Sequence, residues 1–173
     1  PIYLPRQTLY TTEDLGEKKA LLAARRLKAC NPHCTLTTST ERLSPTNAHQ
    51  LLLGKDLILD ATDNEEARRL IDSVAREAGQ HWLYSSIDGW CGQVALFPPE
   101  GKGYCDLFPE ILSTSGGQEA SSTPIPVVSS TPVLLGSIAG AEALKHLLGL
   151  ATLLSDHLLL VDSLHWSFQL LKR

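Results

Sequence analysis

The chain has 173 residues, 43% of them apolar and 20% charged, proportions that exclude a disordered or collagen-like polymer. Its net charge of −4 leaves no basic footprint for nucleic acid, and no apolar run reaches the roughly 18 residues of a membrane span. The length allows one domain, and the opening PIYLPRQTLY lacks the basic-then-apolar layout of a secretory signal, so a cytoplasmic protein is expected.

In chain order, EKKALLAARRLKA (17–29) predicts a helix with Ala20, Leu21, Ala24 and Leu27 on its apolar face, stopped by Asn31-Pro32. TLTTST (35–40) reads as a short β segment, and Ser44-Pro45 opens a brief helix ending at Gly54, with Ser44 as N-cap. KDLILDATD (55–63) is a near-continuous apolar strand, as in sheets buried on both faces. NEEARRLIDSVAREAG (64–79) is an amphipathic helix ended by Gly79. HWLYSSIDG (81–89) and CGQVALFP (91–98) read as strands joined by a tight Asp-Gly turn, hence antiparallel. Residues 110–131 predict a mobile crossover. PVLLGSIAGAEALKHLLG (132–149) predicts a buried helix in which Gly136 and Gly140 admit a close neighbour, and 157–173 reads as two strands joined near Ser163–Trp166. The expected class is α/β, with a mainly parallel, Rossmann-like sheet and antiparallel strands at one edge.

In such sheets ligands bind beyond the carboxyl ends of the strands. Asp60-Ala61-Thr62-Asp63-Asn64 lies at such an end and opens a helix. Two carboxylates before a helix N-terminus suit a metal–phosphate ligand, with the acid on Mg²⁺ and backbone N–H groups toward the anion. The alternative is that Asp63 only caps the helix. Arg6, Gln7 and Lys19 are of the types that pair with phosphate or simply solvate a surface. The cysteines at 30, 34, 91 and 105 have intervals wrong for a zinc knuckle and read as reduced thiols. The six histidines are scattered, and no GxGxxG, P-loop, HExxH or Ser-His-Asp pattern occurs.

Several segments together resemble the ThiF/MoeB/HesA superfamily, ATP-dependent adenylyltransferases related to ubiquitin-activating enzymes. They are Arg6-Gln7-Thr8-Leu9-Tyr10, Lys19-Ala20, Asn31-Pro32 and Asp56-Leu57-Ile58-Leu59-Asp60-Ala61-Thr62-Asp63-Asn64 with Arg68. Gly92-Gln93-Val94, Leu107-Phe108-Pro109-Glu110, Glu142-Ala143-Leu144-Lys145 and Leu158-Leu159-Leu160-Val161-Asp162 follow in collinear order. The resemblance implies adenylation of the C-terminal Gly-Gly carboxylate of a ubiquitin-like sulfur-carrier or modifier protein, using ATP and Mg²⁺. Carried over by position, Arg6 and Gln7 contact the ATP phosphates, Lys19 offsets charge on the α-phosphate, Asp63 holds Mg²⁺, and Asn64 adjoins the nucleotide.

The departures shape further expectations. The family's Gly-rich nucleotide-binding βαβ part lies upstream of the Arg-Gln element, where this sequence has five residues, so a separate or missing N-terminal portion or a homodimer partner is expected to complete the site. Tyr3 and Pro5 replace the family's Asn residues, and Gly103 and Asp106 stand where the family carries its zinc-binding Cys-x-x-Cys, so no zinc is expected. Residues 110–131 contain no Cys that could act as an acyl acceptor. A non-catalytic scaffold that keeps the carrier surface without nucleotide chemistry is the competing reading.

Overall fold

The computed structural model describes residues 7–109 and 127–173, so Arg6 and residues 110–126 of the expected crossover lie outside the described residues. The chain divides into two compact units, Pro1–Arg42 and Leu43–Arg173.

In the first unit, helix α1 spans Lys19–Cys30. Leu22 is its buried residue, while Leu21 and Leu27, expected on the apolar face, are exposed. A 3₁₀ turn at Thr12–Asp14 precedes it, and Asp14 accepts from the Thr11 backbone and side chain and from Arg26 on α1. Residues 35–40 form no strand; all are exposed, and a β segment without a partner strand leaves its backbone groups to water.

The second unit is built on a five-stranded sheet in the order β1-β2-β3-β4-β5. Its strands are β1 (Ile58–Leu59), β2 (Trp82–Asp88), β3 (Cys91–Phe97), β4 (His157–Asp162) and β5 (Ser167–Lys172). The helices are α2 (Ala48–Leu52), α3 (Glu65–Glu77), α4 (Tyr104–Leu107) and α5 (Ser130–Leu147). The α/β class holds, but the expected mainly parallel sheet is corrected: only β1–β2 is parallel, and the other three pairings are antiparallel. Connections explain this. A helix crossover, α3, returns the chain parallel, whereas the two-residue link Gly89–Trp90 and the 163–166 turn reverse it.

Other boundaries shift locally. Asn47, not Ser44, occupies the N-cap of α2, because residues 44–47 form a turn closed by Asn47 Oδ1 accepting from Ser44 N at 2.9 Å. The apolar run 55–63 yields only a two-residue strand. Tyr104–Leu107, between the strand at 91–98 and the crossover, forms a single helical turn.

One face of the sheet carries Trp82, Tyr84, Ala95 and Phe97, packed with Ile71 and Ala75 of α3 and Tyr104 of α4. Trp82 and Phe97 stack at 4.8 Å between ring centroids. The other face carries Leu83, Val94, Leu96 and Val161 against Leu135, Ala139 and Ala143 of α5. The close approach falls at Gly92, where an added Cβ would lie 2.6 Å from Leu135 Cγ; at Gly136 and Gly140, where the spacing predicts it, a Cβ would meet nothing within 4 Å. Among the described residues, no helix is long and apolar enough to cross a membrane.

Candidate functional site

The apolar run that forms β1 delivers Asp60 to the carboxyl end of the parallel pair, where Asp60 N donates to Leu83 O at 2.9 Å. Asp60 is 3% exposed, and a buried carboxylate needs partners. It has three kinds. Oδ1 accepts from Thr62 N at 2.8 Å. Oδ2 accepts from Arg68 Nε at 3.1 Å. Its backbone oxygen accepts from Ser85 Oγ at 3.0 Å.

Arg68, on the second turn of α3, reaches back over the same loop. Its Nη2 donates to Thr62 O at 2.8 Å, and its guanidinium lies 5.2 Å from the Tyr84 ring centroid. Burial pulls the pKa of Arg68 down, but Asp60 and the nearby tyrosines outweigh it and the net shift is upward, so the guanidinium stays charged. Burial likewise pushes the Tyr84 and Tyr104 hydroxyls up, leaving both neutral donors at neutral pH.

This clamp fixes the two residues that follow. Asn64 caps α3, its Oδ1 accepting from Ala67 N at 2.8 Å. Asp63 is therefore not the cap. It is exposed, and among the described residues its carboxylate has no hydrogen-bond or ion-pair partner. Thr62 Oγ1 is buried and also unpartnered among the described residues. The loop thus presents a free carboxylate at the N-terminus of a 13-residue helix with Glu65 and Glu66 in its first turn, over a buried, unsatisfied hydroxyl.

The other expected site residues lie in the first unit. Gln7 is half-buried, and its backbone oxygen accepts from Tyr10 N at 3.1 Å. Lys19 is the first residue of α1, with Nζ 5.7 Å from the Tyr10 ring centroid. The four cysteines are free thiols, and burial pushes that of Cys105 up. Among the described residues, no group of three or more His, Cys, Asp or Glu side chains could hold a metal.

Sequence reasoning gave Asp60 no separate role from Asp63 and left Arg68 and Tyr84 without one. The signal was present: an acid ending an apolar strand is buried, and the arginine eight residues on is the first cation that follows it in the chain. It also missed Asp72, 7% exposed on α3, which accepts from Trp82 Nε1 at 3.0 Å and Tyr104 N at 3.2 Å.

A loop between the carboxyl end of a parallel strand and a helix N-terminus is the place where open α/β sheets bind their ligands. The family model agrees: this chain belongs to the ThiF family, matched over residues 3–173. It is 40% identical over 172 residues to the sulfur carrier protein adenylyltransferase of Thermus thermophilus, covering 96% of this chain and 63% of that protein. It is 30% identical over 166 residues to the SAMP-activating enzyme E1 of Haloferax volcanii, covering 96% and 61% respectively. With the probable molybdopterin-synthase adenylyltransferase of Porphyra purpurea it shares 30% identity over 169 residues, covering 98% of this chain and 44% of that one. The chain thus spans less than two thirds of the length of these relatives. The crystal structure of E. coli MccB with ATP shares the fold at a TM-score of 0.78 and 15% identity, over 98% of this chain and 52% of that one.

Proposed function

We propose that this chain serves ATP-dependent adenylation of the C-terminal glycine carboxylate of a ubiquitin-like sulfur-carrier or modifier protein. The observation that carries the reading is Asp63. Its carboxylate is left free because Asn64 takes the cap, and its loop is pinned by Asp60 and Arg68.

The reaction joins two anions. A carboxylate oxygen of the carrier attacks the α-phosphorus of ATP, the α–β P–O bond breaks, pyrophosphate leaves, and an acyl-adenylate remains. Cations must offset the like charges that meet in this step. Asp63 fits Mg²⁺, a hard cation that takes one or two carboxylates and completes its shell with phosphate oxygens and water. When bound, Mg²⁺ supplies charge neutralisation on the phosphates. Asp63 stands directly before the N-terminus of α3, an end that favours anions. Arg6 and Gln7 are the proposed phosphate contacts, Lys19 the proposed α-phosphate partner, and Asn64 adjoins the nucleotide while holding the cap.

The test is ATP–pyrophosphate exchange in the intact protein with a candidate carrier ending in Gly-Gly, with Asp63→Ala and Lys19→Ala alongside. Exchange should fall by about 100-fold or more in each variant. Equal exchange with and without Asp63 would overturn its role. Absence of exchange together with no calorimetric binding of Mg-ATP would leave the scaffold reading instead.

A further inference from the structure

Two histidines meet on the sheet face that α5 covers. His81 directly precedes β2, and its backbone oxygen accepts from Ile58 N at 3.1 Å. Side chains alternate along an extended chain, so His81 shares the face of Leu83, which packs with Leu135, Ala139 and Ala143 of α5. His146 lies in the last turn of α5. The two imidazole rings stand 4.4 Å apart between centroids, tilted by 43°. Both residues are half-buried, and 65 residues of sequence separate them.

Among the described residues, no nitrogen of either ring has a hydrogen-bond or ion-pair partner. The charged residues of the same helical turn are engaged with each other, Lys145 Nζ lying 2.5 Å from Glu142 Oε1. Burial, and after it the facing His146 ring, hold the pKa of His81 below its ordinary value. Its ring is therefore neutral at neutral pH, the form in which imidazole binds metal. The arrangement brings two ligand-type side chains together from different elements and leaves their nitrogens uncommitted within the protein.

The separation carries geometric information. With metal–nitrogen bonds of about 2.0–2.1 Å and about 1.2 Å from nitrogen to ring centre, two imidazoles bound at a right angle have centroids about 4.5 Å apart, and at a tetrahedral angle about 5.2 Å. The observed 4.4 Å matches the right-angled pair, the arrangement found in Ni²⁺ and Cu²⁺ sites. We propose that His81 and His146 form a cis pair of ligands for a divalent late transition-metal ion, Ni²⁺ or Cu²⁺, with water in the remaining positions. Two protein ligands hold such an ion less tightly than three or four, so the site loads and unloads with the metal around it. It differs in chemistry from the Mg²⁺ position proposed at Asp63, because Mg²⁺ takes oxygen ligands and imidazole suits the later ions. It differs in place as well. Ser85, whose hydroxyl donates to Asp60 O, follows His81 by four residues, which puts the pair about 13 Å back along the strand. The pair also lies on the sheet face opposite that of Tyr84, over which Arg68 sits. A bound ion ties the start of β2 to the last turn of α5 and stabilises the folded chain.

The test is calorimetric titration of the intact, untagged protein with Ni²⁺ in a non-chelating buffer. One equivalent should bind, and His81→Ala and His146→Ala should each weaken it by about tenfold or more. The exposed thiols are the competing ligands, so Cys30→Ser combined with Cys34→Ser should leave this binding unchanged. Ni²⁺ should also raise the urea midpoint of the native chain and of the cysteine variant, and of neither histidine variant. His146→Gln keeps a polar side chain without the imidazole. It should lose the metal-induced shift while matching the native midpoint without metal, which separates a lost ligand from a damaged fold. No binding up to about 1 mM Ni²⁺, binding that survives both histidine variants, or binding removed only by the cysteine variant would each overturn the proposal, leaving the pair as two stacked rings. The readout needs neither nucleotide nor carrier, so it stands or falls separately from the adenylation reading.

Discussion

Helix α3 is flanked by two loops, each tied down by a buried carboxylate, and the two are held in different ways. On one side Asp60 meets a guanidinium, that of Arg68, and the pair encloses the backbone of Thr62. On the other side Asp72 meets neutral donors, the Trp82 indole N–H and the Tyr104 backbone N–H, and burial pushes its carboxyl above the usual range. Arg76 donates to Gly101 O at 2.9 Å, and an added Cβ at Gly103 would lie 2.7 Å from Asp72 Oδ2. The first arrangement holds a loop that presents chemistry. The second holds a turn that closes an aromatic cluster, with Tyr104 and Phe108 at 5.0 Å. The hydrogen-bond partners differ in charge, a guanidinium at Asp60 and two neutral N–H groups at Asp72, where Arg76 adds only a through-space attraction.

Removing each carboxylate should expose this difference. Asp60→Ala should cost about 3–5 kcal/mol in urea unfolding, because a buried guanidinium loses its counter-ion and Thr62 N its acceptor. Asp72→Ala should cost about 2–4 kcal/mol, leaving two buried neutral donors unpaired. A larger loss at Asp72 than at Asp60 would break the comparison.

The pH dependence sharpens it. A carboxyl whose folded pKa is raised binds its proton more readily in the folded state. Asp72 therefore contributes stability that is fully present below the ordinary carboxylate pKa and lost as pH rises through the higher folded value. Urea midpoints measured between about pH 4 and pH 7 should fall with this contribution in the native chain and lack it in Asp72→Asn. The reverse slope at this residue would refute the assignment.

Two smaller effects separate shape from chemistry at the Asp63 loop. Asn64→Ala removes the cap of α3 and should cost about 1 kcal/mol. Asp63→Ala, at an exposed side chain without partners, should change stability by less than about 0.5 kcal/mol while abolishing exchange. A strongly destabilised Asp63→Ala would mean that its carboxylate supports the loop after all.

Much of the fold was legible in local pattern. The helix at 64–79, the Asp-Gly reversal after β2 and the paired C-terminal strands follow from residues adjacent in the chain: the amphipathic run closed by Gly79, Gly89 at φ +60°, and two apolar runs separated by Ser163–Trp166. The strand directions and packing contacts were not legible. An apolar run such as 55–63 reads the same whether two residues or nine pair, since pairing depends on what the neighbouring strand offers. Gly136 and Gly140 carry a close-packing spacing, yet the approach comes from Leu135 against Gly92 on β3, which no interval in the chain encodes.

The sequence by itself determined the family, the α/β class, the turn and helix signals, and the Asp-Ala-Thr-Asp-Asn segment as the place for chemistry. These are carried by residue identity and short spacing. Tertiary structure decided what each member of that segment does. Asp60 is buried against Arg68 because strand β1 ends beneath α3, Asn64 wins the cap because its side chain alone reaches Ala67 N, and Asp63 is left to solvent. It also decided that the sheet runs largely antiparallel and that its register joins two carboxylates across 74 residues of sequence, from Asp88 to Asp162. Burial and cross-strand register are properties of the folded chain, so no reading of neighbours along the sequence contains them.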